Sequence, residues 1–419
     1  MKMLYNIGVR MYGGGIRLAA FFSPKAQKWV NGRKDIFKNI AKTVEKGAIW
    51  IHVASLGEFE QGRPLIEKIK KEQPKQKILL TFFSPSGYEL RKNYALADFV
   101  YYLPLDTKHN AQKFIELTQP SLAVFVKYEF WYHYINELEQ QKIPLISIST
   151  LFRPSQIFFQ WYGSWYKKIL LKFDHFFVQN KISLDLLKKH QIKNSIISGD
   201  TRVDRVWSIK KNAKDFPMIA AFKNDESLLV IGSSWQPDEA IIAEFCKKNQ
   251  PLPFKIIIAP HEIDDKHIQQ IINQLPKSIH AIRYSNSNQS TIAQANILII
   301  DNIGMLSGLY RYGNWAYIGG AFGKGLHNTL EPITFGLPVI FGPKYQKFEE
   351  ANWLVENGGG FTIQDQADFE KMILKLQLPD FHEKASKKAL TYIQNNRGAT
   401  DLIWQYLEGN NLLKSTQNI

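Results

Sequence analysis

The chain has 419 residues, 45% hydrophobic and 22% charged, enough for two or three domains with a substantial core in each. Its 53 Lys and Arg outnumber 38 Asp and Glu, giving +15. That surplus favours anionic partners (nucleic acid, lipid headgroups or phosphorylated substrates) unless it serves solubility alone. The single cysteine, Cys246, excludes an internal disulfide and a cysteine zinc cluster, and in EAIIAEFCKK it reads as core.

No run of about 20 apolar residues is present, so no spanning helix is predicted. Residues 1–30 interleave Leu4, Tyr5, Ile7, Met11, Tyr12, Leu18, Phe21 and Phe22 with Lys2, Arg10, Arg17, Lys25 and Lys28, with no acid before Asp35. Basic and aromatic residues on a short amphipathic segment suit a membrane surface. Packing on the body of the protein is the alternative. Gly13-Gly14-Gly15 predicts a break in any long helix here.

From residue 48, short apolar runs alternate with longer periodic stretches. AIWIHVA (48–54), KILLTFF (77–83), DFVYYLP (98–104), SLAVFV (121–126), PLISIST (144–150) and HFFVQN (175–180) read as strands covered on both faces. Helices are predicted over 60–72, 108–118, 131–141 and 182–190. A polar stretch at 207–226 marks a boundary, and the order then repeats. SLLVIGS (227–233), FKIIIAP (254–260), NILIID (296–301), NWAYIGG (314–320) and LPVIFGP (337–343) are strands, with helices near 237–249, 264–274, 303–311, 328–335 and 347–356. A last helix is expected over about 382–408. The pattern predicts an α/β protein of two Rossmann-like domains, with parallel sheets facing an interdomain cleft. The expected division is a membrane-surface segment 1–35, a first domain 36–210, a second 220–385, and a segment 386–419 crossing back to the first.

Four segments carry chemistry. In HVASLGEFEQGRPLI (52–66) a strand ends in a small-residue turn, placing Glu58 at the sheet edge as a general base or a helix-terminus charge. In FVKYEFWYHYI (125–135) Glu129 follows an apolar strand among Tyr128, Phe130 and Trp131, where a carboxylate is costly unless paired or used. In ISGDTRVDRV (197–206) Arg202 suits a phosphate or carboxylate, oriented by Asp200 or Asp204, or forms an interdomain salt bridge. In YIGGAFGKGLHNTLEPITFGLPVIFGP (317–343) a glycine loop leads into a helix expected to begin near His327 or Asn328. Its backbone N–H groups suit a phosphate, unless the glycines only make a turn, and Asn328 and Glu331 share one face. It is not a P-loop, because Gly325 follows Lys324. VIGSSWQPDEA (230–240) and IAPHEID (258–264), with Pro260 and His261, end strands at the same edge. No D-x-D pair suggests a metal.

Together with LLTFFSPSGYEL, YYLPLD and DNIGMLSGLY, these segments resemble the 3-deoxy-D-manno-octulosonic acid (Kdo) transferases, in order over roughly residues 48–360. The resemblance implies the GT-B fold and an inverting transfer of Kdo from CMP-Kdo to a lipid A precursor, in lipopolysaccharide core synthesis. Glu58 would be the base, and Glu129 and Arg202 would support the transition state. Pro260, His261, Gly304, Met305, Leu306, Asn328, Thr329, Leu330 and Glu331 would contact CMP, with Glu331 holding the ribose. It implies a peripheral enzyme on the cytoplasmic face of the inner membrane, with no cofactor, metal or nucleic acid. Three departures stand out. No Arg separates Pro260 from His261, Met305 replaces the family's usual Glu, and NGRKDIF (31–37) keeps only part of an upstream motif.

Overall fold

The computed structural model describes residues 1–323 and 325–413. The chain divides into two compact units, Val206–Asn396 and the remainder, Met1–Arg205 with the chain from Arg397 onward.

The first unit is built on seven parallel strands: β1 (Ile49–Val53), β2 (Ile78–Phe82), β3 (Phe99–Tyr102), β4 (Leu122–Val126), β5 (Leu145–Thr150), β6 (His175–Val178) and β7 (Ser195–Ile197), ordered β3-β2-β1-β4-β5-β6-β7. β1 is the hinge of this order, pairing Ile51 with Leu80 on one side and Val124 on the other. Every residue of β1, β2 and β4 is buried, which is why these strands read as unbroken apolar runs. Trp50 is fully buried and packs on Phe114, Phe125 and Tyr134. Each such burial is worth roughly 1.5–3 kcal/mol.

The second unit repeats the plan with β8 (Leu228–Ser234), β9 (Lys255–Pro260), β10 (Ala281–Arg283), β11 (Ile297–Ile299), β12 (Trp315–Ile318), β13 (Val339–Phe341) and β14 (Gly360–Thr362), ordered β10-β11-β9-β8-β12-β13-β14 and all parallel. Here β8 and β12 meet where the order reverses. In open parallel sheets such a reversal, at the carboxyl ends of the strands, is where ligands bind. Cys246 is fully buried in the helix Gln236–Lys248, and burial pushes its thiol up to about 12.

Several expectations are corrected. The glycine triplet does not break the first helix, which runs unbroken over Lys2–Ala19. Gly13 is buried against Leu105, whose Cδ2 would lie 2.7 Å from an added Cβ, so close packing offsets the poor helix propensity. The helix is anchored by Tyr5, whose hydroxyl donates to Asp106, and by Asn6 Oδ1, 2.6 Å from His133 Nε2. Asp106 also accepts the N–H groups of His133 and Tyr134, both at 3.1 Å. The polar stretch at 207–226 holds the helix Pro217–Lys223 and the end of Thr201–Lys211, inside which the unit boundary falls. The single helix expected over 382–408 is two, Pro379–Asn396 and Ala399–Gly409, parted at Gly398 with φ 103°. Residues 386–396 therefore stay in the second unit and the return to the first begins at Arg397. Asp204 fixes the second helix by accepting from Gly398 N, Thr400 N and Thr400 Oγ1 at 2.6–2.7 Å.

Candidate functional site

In the first unit the chain leaves β1 through Ala54 and Ser55, which opens the helix Leu56–Glu72. Glu58 lies in its first turn, half-buried, and accepts from the Ser55 hydroxyl. The neighbouring strand β4 ends at Val126, and Lys127 turns the chain with φ 68°. Glu129 follows, 8% exposed. Its Oε2 lies 3.0 Å from His52 Nε2 and accepts the Trp131 indole N–H at 2.6 Å. The same indole N–H also points to His52 Nε2, 3.2 Å away. His52 is fully buried in β1, its Nδ1 2.9 Å from Thr81 Oγ1, which also takes the Trp50 indole N–H at 2.8 Å. These bonds satisfy a carboxylate that burial alone would disfavour. The order reversal at β1 and β4 thus places Glu58 and Glu129 at the carboxyl ends of adjacent strands.

Arg202 is held by Asp200, not Asp204. Its Nε and Nη2 donate to Asp200 Oδ2 at 2.9 and 2.7 Å, and its backbone N–H to Oδ1 at 2.9 Å. Gln61 adds a bond to Oδ2 at 3.0 Å. Burial works to raise the Asp200 carboxyl, but Arg202 and Gln61 outweigh it and hold it below the usual carboxylate range.

In the second unit a cavity of about 270 Å³ opens beside the ends of β8, β11 and β12, lined by Ser233, Gly304, Leu306, His327, Asn328 and Glu331 among others. Ser233, at the register shift near the end of β8, has φ 54°, a strained geometry of the kind found at functional sites. Asn328 Nδ2 donates to Glu331 Oε1 at 3.1 Å and Asn328 Oδ1 accepts from Leu330 N at 3.1 Å. Thr329 and Leu330 are each 1% exposed and are not among the residues lining the cavity. Met305 is buried, between Gly304 and Leu306, which do line the cavity. Pro260 ends β9, and His261 stacks on both Trp235 and His327 with ring centroids 4.5 and 4.6 Å away.

The glycine loop differs from expectation. Gly320 N–H donates to Asp238 Oδ2 at 2.9 Å, Gly323 and Gly325 N–H to Gly320 O at 3.0 Å, and His327 N–H to Gly319 O at 3.2 Å. These four amides are turned into the loop and do not form an open phosphate cradle. The glycines serve close packing: a Cβ on Gly319 would lie 2.4 Å from Ser233 O, and one on Gly320 2.3 Å from Gly325 O. The helix begins at Leu330 and runs only to Thr334. Lys324 lies outside the described residues.

Among acidic and histidine groups, Glu262, Asp264 and His267 bring ligand atoms within 4.8 Å. Their closeness has an internal cause. Asp264 caps the helix Asp265–Gln274 by accepting from His267 N, and the His267 ring nitrogens lie 2.9 Å from Glu262 O and 2.8 Å from Glu239 Oε2.

Sequence reasoning missed His52, Trp235 and His327 as parts of these sites. The motifs containing them were visible, but the Trp235–His327 bond spans 92 residues and the His52–Glu129 pair 77.

The 3-deoxy-D-manno-octulosonic-acid transferase (kdotransferase) family matches residues 30–205. A 3-deoxy-D-manno-octulosonic acid transferase of Aquifex aeolicus is 28% identical, over 79% of this chain and 86% of its own. One of Haemophilus influenzae is 25% identical, over 94% of this chain and 95% of its own. Among solved structures, a UDP-GlcNAc 2-epimerase of Neisseria meningitidis superposes with a TM-score of 0.60 at 16% identity, covering 87% of this chain and 100% of that one. That likeness shows the fold alone, two Rossmann-like units of the GT-B class. With one match running through the first unit and relatives running through both, the chain is similar to the 3-deoxy-D-manno-octulosonic acid transferases over most of its length and is a glycosyltransferase.

Proposed function

We propose that the chain transfers Kdo from CMP-Kdo to a lipid A precursor, with inversion, as a step of lipopolysaccharide core synthesis. The observation that carries this reading is the second unit's cavity, where Asn328 and Glu331 stand together with Gly304 and Leu306, a carboxylate for hydroxyl donors beside backbone and apolar surface. Glu331 accepts the ribose hydroxyls, and the backbone at 304–306 and 328–331, with Pro260 and His261, contacts the rest of CMP. Glu58 takes the proton of an acceptor sugar hydroxyl. That oxygen bonds to the anomeric carbon of Kdo as the bond from that carbon to the phosphate oxygen breaks, and CMP departs with the bonding pair. A positioned base contributes roughly 10²–10⁴-fold. Arg202 offsets negative charge growing on the phosphate, and Glu129, held by His52 and Trp131, supports the charge that develops on the sugar.

We place the work at the cytoplasmic face of the inner membrane. No described helix is long and apolar enough to cross a bilayer. The helix Lys2–Ala19 leaves Met3, Leu4, Met11 and Leu18 exposed, and Phe22 just beyond it is 91% exposed. Trp161 is also 91% exposed, in the segment preceding Trp165, whose ring lies 5.9 Å from that of Tyr5. A cavity lined by Arg17, Arg33, Lys34 and Lys38 adjoins the same helix. Apolar and aromatic side chains beside cations suit an anionic lipid surface.

The test is mass analysis of lipid A precursor incubated with the enzyme and freshly generated CMP-Kdo. A gain of Kdo, inhibited by CMP and not by UDP, is the expected result. An unmodified acceptor, or inhibition by UDP alone, overturns the reading.

A further inference from the structure

We propose that His327 binds the phosphate of the donor nucleotide as a neutral imidazole, donating a hydrogen bond from Nδ1 while Trp235 holds Nε2. This rests on reading the cavity of about 270 Å³ as the nucleotide site.

The first support is the tautomer. The Trp235 indole Nε1–H lies 3.0 Å from His327 Nε2. An indole nitrogen only donates, so Nε2 accepts and the ring proton sits on Nδ1. His327 Nδ1 has no hydrogen-bond partner among the described residues, while the ring lines the cavity. The stack with His261, tilted 27°, fixes the ring plane from one side. Burial, with His261 adding to it, draws the His327 imidazole down to about 4, so it stays neutral at physiological pH.

The second support is what else the cavity offers an anion. Four amides of the glycine loop are engaged inside the loop. Among the described residues no Lys or Arg lines the cavity. Glu331, at the Asn328 side, repels a phosphate and suits hydroxyls. Besides backbone N–H groups and the Asn328 amide, the donors are the hydroxyls of Ser233, Ser307 and Tyr310 and the Nδ1–H of His327. Asn328 is bonded to Glu331 and Tyr310 feels its charge, whereas His327 is bonded to Trp235.

The test compares binding of CMP and cytidine to the full chain by calorimetry, in wild type, His327→Asn and His327→Gln. The Asn amide reproduces a donor at the Nδ1 position, the Gln amide one at Nε2. His327→Gln is expected to weaken CMP roughly tenfold or more, as for a lost hydrogen bond to a charged group, with cytidine changed less than about twofold. His327→Asn should keep most of the CMP affinity, which also shows that the fold survives substitution. Equal loss of CMP and cytidine, or retention by Gln with loss in Asn, overturns the proposal while leaving the nucleotide site standing. Wild type that binds neither ligand overturns both.

Discussion

Each unit sets a histidine beside a tryptophan beyond the central strands' carboxyl ends or within them, and the two pairs differ in what else the tryptophan meets. In the first unit Trp131 gives its N–H to Glu129 at 2.6 Å, and His52 Nε2 reaches the same oxygen from within β1 at 3.0 Å. In the second unit Trp235 gives its N–H to the histidine itself, at 3.0 Å from His327 Nε2. In the first arrangement the indole N–H is shared between Glu129 and His52 Nε2, 3.2 Å away; in the second it goes to His327 Nε2 and leaves Nδ1–H for a ligand. One residue pairing thus positions a carboxylate in one unit and a neutral donor in the other. The choice of partner decides which.

The largest break in this comparison is expected from Glu129→Ala. It removes the charge that both His52 and Trp131 face, and kcat should fall on the order of 10²–10³-fold with CMP affinity unchanged. Steady-state kinetics beside calorimetry separates the two; a fall in CMP affinity alone would place Glu129 outside the chemistry. Trp131→Phe is milder, because Glu129 keeps its contact with His52 at 3.0 Å. A loss in kcat of roughly tenfold is expected from one hydrogen bond to a charged group, with KM for the donor steady. Trp235→Phe should act on the opposite parameter, weakening CMP roughly threefold while kcat at saturation holds.

The smallest effect is in the acid response of stability. Unfolded, the His327 imidazole takes up its proton near 6.5, but folded only near 4, chiefly because of burial. Between those values the unfolded chain binds more protons, so this group's contribution is complete above about 6.5 and is lost as pH falls toward 4. The stability of wild type relative to His327→Gln should shrink on going from pH 7 to 4.5, as denaturant melts would read. The first unit should respond less steeply. His133 is likewise lowered by burial to about 4, but Asp106 is raised by burial to about 6 and contributes in the opposite sense.

The sequence was most legible where burial on both faces left unbroken apolar runs, as in β1, β2, β4 and β9. It was silent on β10 and β14, edge strands of three residues each with partly exposed side chains. The Gly13 helix read as broken because the compensating contact with Leu105 is tertiary. The same limit hid the chemistry of the second unit. Asn328 and Glu331 are local and were visible as a pair, whereas the inward turn of the glycine amides depends on Asp238, 82 residues from Gly320. His52 lay in plain view within a strand, where nothing nearby announces a carboxylate from the next strand over.

The account stands most directly on Glu58, the half-buried carboxylate after β1. The deciding measurement is single-turnover Kdo transfer by Glu58→Ala, with CMP binding measured on the same sample. Transfer should drop on the order of a thousandfold while CMP binds as in wild type. Transfer at the wild-type rate would contradict the account, because the proton of the acceptor hydroxyl would then be leaving by another route.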